Sequence, residues 1–123
     1  MSLHIAGDDV VVSFKAPGSA PVLVVRGCVD TGTARVLREH LDLVPGGPGG
    51  VVVDLSDVSF FSAAGAAALA SASHRLRLHV VVTPLVRQVL HAAGVADFLD
   101  LHDFPAAAEE AATSSPAPLL LVG

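Results

Sequence analysis

The side chains in this sequence that most often carry chemistry are six histidines, one cysteine and a spaced group of aspartates. None of the histidines stands in a His-Glu-x-x-His or paired-cysteine spacing, so we predict no metal site. Nothing next to Cys28 would activate a thiolate, and we interpret it as a small buried residue rather than a redox sensor. Asp97, Asp100 and Asp103 lack the ligand spacing of a calcium loop, which favours a hydrated rim.

Catalytic motifs are missing around the other residues that could form a site. Ser62 does not stand in Gly-x-Ser-x-Gly, and no Cys–His or carboxylate pair stands out. The glycines from Gly46 to Gly50 form neither a Gly-x-Gly-x-x-Gly fingerprint nor a P-loop, and no lysine follows them. We therefore predict a protein that is not an enzyme, needs no cofactor and works through its surface.

Composition and charge exclude several classes of partner. The 123 residues have a formal charge of −5, scattered basic residues, and neither Trp nor Tyr, so the positive stripe and stacking rings of a nucleic-acid binder are missing. Residues 1–12 do not form a secretory signal, and the alanine-rich stretch Ala63–Ala72 is too short to span a bilayer. With its single cysteine, the sequence indicates a cytoplasmic protein with no nucleic-acid or membrane partner.

Apolar runs and helical spacing alternate along the chain, which is long enough for one domain. Their order predicts an α/β fold with a mixed sheet of about five strands, the central ones parallel, and about four helices. His74 and His79 are expected at element ends, facing water. The predicted strands are Val10–Phe14, Val22–Arg26, Val51–Leu55, His79–Val82 and Phe98–Leu101, and the predicted helices are Thr33–Leu43, Ala63–His74, Pro84–Gly94 and Pro105–Ala112.

Turn-forming residues predict where these elements are connected. Residues 16–19 suggest a hairpin turn, residues 45–50 a flexible connection, and residues 56–61 a loop. Asp30 or Thr31 is expected to cap the first helix. A single domain is predicted over residues 1–112, followed by a loose tail over 113–123.

The stretch from Asp54 to Gly65 carries a family resemblance. It reads Asp-Leu-Ser-Asp-Val-Ser-Phe-Phe-Ser-Ala-Ala-Gly and resembles the STAS signature of bacterial anti-sigma factor antagonists, Asp-Leu-Ser-x-Val-x-Phe-hydrophobic-Asp-Ser-Ser-Gly-Leu. The segment Gly27-Cys28-Val29-Asp30 is similar to the family's Gly-x-hydrophobic-Asp. The segment 83–90, followed by Gly94, resembles the family's fourth strand-to-helix passage. The resemblance covers Val10 to Ala112 and implies a STAS-like fold.

The resemblance also implies a way of working, from which this sequence departs at one position. Antagonists of this family dock on a serine kinase that doubles as an anti-sigma factor, and phosphorylation of the serine before the signature glycine ends the docking. Here that position is Ala64, the preceding serine is Ala63, and the family's aspartate is Ser62. Because alanine has no hydroxyl, phosphorylation at the usual position is ruled out. Ser62 is a possible substitute acceptor, although a serine at a helix N-cap is ordinarily structural.

The predicted docking residues follow the carboxyl ends of the parallel strands, where small side chains let a partner approach closely. We hypothesise an anti-sigma factor antagonist-like protein that docks on a serine-kinase anti-sigma factor and releases a sigma factor. The alternative is a structural STAS module that assembles with other STAS proteins or with itself, without kinase control; an enzyme or small-molecule carrier ranks third. The predicted partner-binding residues are Asp30, Thr31, Ser62, Ala63, Ala64, Gly65, Ala66, Thr83 and Pro84.

Overall fold

The computed structural model describes residues 5–6, 10–15, 20–45 and 49–113. Within these ranges, helices cover both faces of one sheet. The strands are β1 (Ile5–Ala6), β2 (Val10–Lys15), β3 (Val22–Val29), β4 (Val51–Phe61), β5 (Leu78–Val81) and β6 (Asp100–His102); the helices are α1 (Ala34–Leu43), α2 (Ala63–Ala72), α3 (Pro84–Ala92) and α4 (Pro105–Thr113), with a 3₁₀ turn at Ala96–Phe98.

The strands lie in chain order across the sheet, from β1 to β6. β1, β2 and β3 pair antiparallel, whereas β3, β4, β5 and β6 pair parallel. Because right-handed crossovers that all advance in one direction place their helices on one face, α1, α2 and α3 lie together. The predicted α/β class, with parallel central strands and four helices, is confirmed. The two-residue strand β1 was not predicted.

Two apolar layers of different size hold the helices to the sheet. The main layer contains large aliphatic side chains from α1, α2 and α3, such as Leu37, Leu69 and Leu90, each 0% exposed. The second layer lies under α4, which packs over β4, β5 and β6. There α4 contributes only Ala108 and Ala112. Since hydrophobic stabilisation scales with buried apolar area, α4 is held less firmly than the other three helices.

The predicted loop over residues 56–61 is wrong, because β4 continues to Phe61. In this extension β4 pairs with β3 through two register shifts, and each adds one extra residue to β4. Such bulges interrupt the period-2 alternation on which strand prediction from sequence depends. The polar residues of the signature therefore lie on a bulged strand, and the strand carries the chain to the start of α2.

Several smaller predictions also need correction. The last strand begins at Asp100 rather than Phe98, because the 3₁₀ turn occupies the preceding residues. Cys28 is half-buried rather than buried. His74 is exposed as expected, but His79 is buried with 2% exposure. Thr113, assigned to the tail, ends α4. The rest of that tail, the turn over residues 16–19 and part of the connection (46–48) lie outside the described residues.

Candidate functional site

A hydrogen-bonded turn follows β3 and leads into α1. Asp30 Oδ1 accepts the backbone N–H of Thr33 at 2.9 Å, and the backbone N–H of Asp30 donates to Thr33 Oγ1 at 2.9 Å. The Thr33 hydroxyl donates to the carbonyl of Cys28 at 2.7 Å. The N–H of Thr33, followed by its hydroxyl, holds the pKa of Asp30 below its usual value. Asp30 therefore closes the turn before α1, but the prediction that Asp30 or Thr31 caps this helix is wrong, because Thr33 occupies the N-cap position.

The start of α2 lies beside this turn. The backbone N–H of Ser62 donates to the carbonyl of Val29 at 2.9 Å, which joins the ends of β4 and β3. The carbonyl of Ser62 accepts the N–H groups of Gly65 and Ala66 at 3.0 and 3.2 Å. Ser62 is thus the N-cap residue of α2, but its hydroxyl makes no capping bond. The hydroxyl oxygen is buried and has no hydrogen-bond partner among the described residues.

Two of the predicted contact residues lie below the surface. A Cβ on Gly65 would lie 2.8 Å from Phe61 Cε1 and 2.9 Å from Val29 Cγ1, so only glycine lets the first turn of α2 pack this closely on the strand ends. Ala66 is 1% exposed and belongs to the main core. Both residues place the helix and are out of reach of a partner's side chains.

The remaining residues of this region form a small, nearly uncharged surface. Ala63 and Ala67 of α2 are exposed, Ala64 is half-buried, and Thr31 and Gly32 are exposed on the neighbouring turn. We call these five residues the α2 surface. None carries a formal charge, and none has a side chain larger than threonine. A partner's backbone can approach such a surface closely and exclude water from it.

The structure separates Thr83 and Pro84 from the α2 surface. Val81 at the end of β5 lies opposite Asp54, whereas β4 runs on to Phe61 before α2 begins. When both positions are projected onto β3 through the strand registers, Thr83 lies about four residues, or ~13 Å, short of Ser62 along the strand direction. Thr83 Oγ1 accepts the N–H of Val86 at 3.3 Å and caps α3. The sequence places these loops on the same edge of the sheet but does not show how far β4 extends.

Phe60 is a further exposed residue that the predicted contact set did not include. It is 50% exposed and, by strand alternation, faces away from its buried neighbour Phe61. Beside it, Arg26 and Asp57 form an exposed ion pair at 3.2 Å. Two consecutive phenylalanines at the end of a strand are the signal that would have found it, because one of them must face outwards.

Other kinds of site find little support within the described ranges. No group of three or more His, Cys, Asp or Glu side chains there could hold a metal ion. None of the helices described is both long enough and apolar enough to cross a membrane. Asp97 and Asp103 are exposed, and Asp100 forms an ion pair with Arg77 at 3.0 Å. The spaced aspartates thus lie where a hydrated rim was expected.

A STAS-type fold is defined by this geometry, with an antiparallel hairpin leading into parallel strands and the signature running from β4 into α2. The family model described as "Mlab, STAS domain" matches residues 12–101. The chain belongs to the STAS family.

The chain is also similar to a solved structure. A crystal structure of an anti-sigma factor antagonist from Mycobacterium paratuberculosis superimposes with a TM-score of 0.74 at 25% sequence identity. The alignment covers 88% of this chain and 97% of that one. No curated protein sequence matches the chain. The family match includes the whole signature from Asp54 to Gly65.

Proposed function

We propose that this protein is an anti-sigma factor antagonist-like domain that docks through the α2 surface on a serine-kinase anti-sigma factor and so releases a sigma factor. The likeness to the mycobacterial antagonist over 88% of the chain supports the general role. The observation that carries the proposed site is the bond from Ser62 N–H to the Val29 carbonyl. It sets the Asp30 turn and the start of α2 side by side, as one continuous surface.

Docking of this protein is proposed to be free of phosphorylation control. Ala64 has no hydroxyl to accept a phosphate. The Ser62 hydroxyl, the possible substitute, is buried, so a kinase would reach it only if the first turn of α2 opened. The amount of complex would then depend on the expression level of this protein or on another signal. In this proposal the protein acts in the cytoplasm and catalysis belongs to the partner.

The second candidate is a structural STAS module that assembles with other STAS proteins or with itself. The same residues favour it, because a protein with alanine at the acceptor position and a buried neighbouring hydroxyl has no need of a kinase. The α2 surface would then contact another STAS domain. Binding to a kinase separates the two candidates.

Calorimetric titration against each serine-kinase anti-sigma domain of the same genome, with nucleotide present, tests the first candidate. We expect saturable binding to one of them with a Kd in the micromolar range or tighter. Ala67→Arg on the α2 surface should weaken binding at least tenfold, because an arginine there would keep a partner's backbone away. Ala107→Arg is the matched control, since Ala107 is also an exposed helical alanine, on α4.

Two outcomes would count against this site or this function. Equal binding by the Ala67→Arg and Ala107→Arg variants would move the docking site away from α2. Failure of the folded wild-type protein to bind any of the kinases would refute the antagonist role. The structural module would then take first place, with co-purification of STAS paralogues as its test. Gly65 is a poor probe here, because substitutions at this buried position also disturb packing.

A further inference from the structure

Two histidines meet beneath α4, on the sheet face opposite α2. His79 on β5 and His102 on β6 alternate with Val80 and Leu101, which pack towards the main core. His79 Nδ1 lies 3.2 Å from His102 Nε2, and the two rings are 5.4 Å apart between centroids. We call these residues the histidine pair. Neither belongs to the α2 surface or to the STAS signature.

The geometry of the histidine pair accommodates one proton between the rings. Of the two facing nitrogens, one must donate and the other accept. His79 Nε2, on the far side of its ring, is buried. The single proton between the two facing nitrogens can be supplied by either ring.

The docked pair cannot hold both rings in the protonated form. Two imidazolium rings would each carry an N–H at the facing position, and these hydrogens would meet across the 3.2 Å between His79 Nδ1 and His102 Nε2. A charge on His79 is further disfavoured because this side chain is only 2% exposed. The docked pair therefore takes up fewer protons than two histidines in water.

The charged groups around His79 shift its pKa in opposite directions, and burial has a larger effect than any of them. Burial lowers the pKa of His79 most, His102 and Arg77 lower it further, and Asp100, with Oδ2 at 4.0 Å from His79 Nδ1, raises it. The backbone of Gly49 also favours the protonated form. On the same sheet face, Val52 of β4 lies opposite His79, and the nearest charged residue of β4 is Asp54. The covering helix α4 carries two carboxylates, Glu109 and Glu110.

The helix that covers the histidine pair is short and held by small contacts. α4 has nine residues, too few for a stable helix in isolation. Its apolar contacts come from Ala108 and Ala112. Its last turn rests on Gly49, where any Cβ would clash with the carbonyl of Ala112. A modest cost at the histidine pair is therefore enough to shift the docking equilibrium of α4.

We infer that the histidine pair makes the docking of α4 depend on pH, so that mildly acidic pH releases α4 and uncovers the small apolar layer on β4 and β5. The sign follows from the lowered pKa of His79. With α4 released, the exposed ring titrates near 6.5, so the released state binds more protons below that pH. Docking is fully stabilised above about pH 6.5 and weakens as the pH falls towards the lower pKa of the docked state.

Amide hydrogen exchange of the full chain, at pH 7.5, 6.5 and 5.5 with EDTA present, tests this inference. After correction for intrinsic exchange rates, protection in α4 should fall by up to tenfold per pH unit below about 6.5, whereas protection in α1 stays constant. α1 is a strict internal control because it contains another buried histidine, His40. A parallel loss of protection in α1 would indicate general acid unfolding and would overturn the inference.

Two variants and one control assign the effect to the pair. In His79→Gln the side-chain amide can donate to His102 but does not titrate, so the pH dependence of α4 should flatten. His102→Gln, which can accept from His79, should also flatten it and serves if the first variant does not fold. His74→Gln, at an exposed position, should behave as wild type. Loss of α4 protection that is as steep in both pair variants as in wild type would overturn the inference, as would pH-independent protection in wild type.

Discussion

Replacing Gly65 with alanine tests the reason for glycine at the start of α2. The added methyl would lie 2.8 and 2.9 Å from two ring carbons of Phe61 and 2.9 Å from a methyl of Val29. Ordinary carbon contacts are about 3.5–4.0 Å. Neither neighbour can move away easily, because Phe61 and Val29 are 2% and 0% exposed and packed in the main core. The variant must therefore shift the first turn of α2 or the strand ends.

The size of the effect comes from two opposing contributions to the free energy of unfolding. Inserting a methyl into a packed core typically costs about 1–3 kcal/mol. Alanine is favoured over glycine in a helix by about 1 kcal/mol, which offsets part of that cost. Taking ~2 kcal/mol for the overpacking, we expect Gly65→Ala to lower the free energy of unfolding by about 1 kcal/mol.

Urea denaturation followed by circular dichroism measures this difference, provided that the m-value is unchanged. Gly32→Ala is the matched control on the neighbouring turn. Its Cβ would meet only Asp30 Oδ1, at an ordinary 3.5 Å, and its backbone does not have positive φ. This control should stay within ~0.5 kcal/mol of wild type. If Gly65→Ala proves as stable as wild type or more so, close packing is not the reason for glycine at this position.

Two further predictions concern the missing hydroxyl and the end of α1. Ala64→Ser should accept one phosphate from the kinase that binds this protein, detected by mass spectrometry, whereas wild type should accept none; phosphate on wild-type Ser62 would contradict the argument from burial. Arg75 donates to the carbonyls of Leu41 and Val44 at 2.7 Å each, so Arg75→Gln should lower the free energy of unfolding by about 1–2 kcal/mol. Arg75→Lys keeps the charge but lacks the two guanidinium nitrogens that reach both carbonyls, so in urea denaturation it should recover only part of the lost free energy of unfolding. Full recovery would assign the effect to charge alone.

Much of the fold can be predicted from local pattern. The apolar run at the start of β4 and the Thr83-Pro84 start of α3 both lie where expected, because these signals depend on residues close together in sequence. The second half of β4 could not be predicted in this way. Its residues pair with β3, about 30 positions earlier in the chain, through two bulges that erase the alternation.

The candidate site likewise has features that local sequence predicts and features that only the fold decides. Sequence alone shows that Ala64 cannot carry a phosphate, because a missing hydroxyl is a covalent fact that no fold can change. The turn made by Asp30 is also local, since its hydrogen bonds join residues three apart. The burial of Gly65, Ala66 and the Ser62 hydroxyl could not be predicted from local sequence. It depends on how α2 packs on the ends of β3 and β4.

The sequence by itself determined the order and type of the main elements, the family signature and the absent acceptor hydroxyl, because each depends on residue identity or short-range periodicity. Only the tertiary structure decided that His79 is buried and meets His102, 23 positions away. An alternating pattern shows that a strand has two faces, but not which elements cover them. α4, which begins some 25 residues after His79, covers that face and turns a histidine expected in water into a buried one.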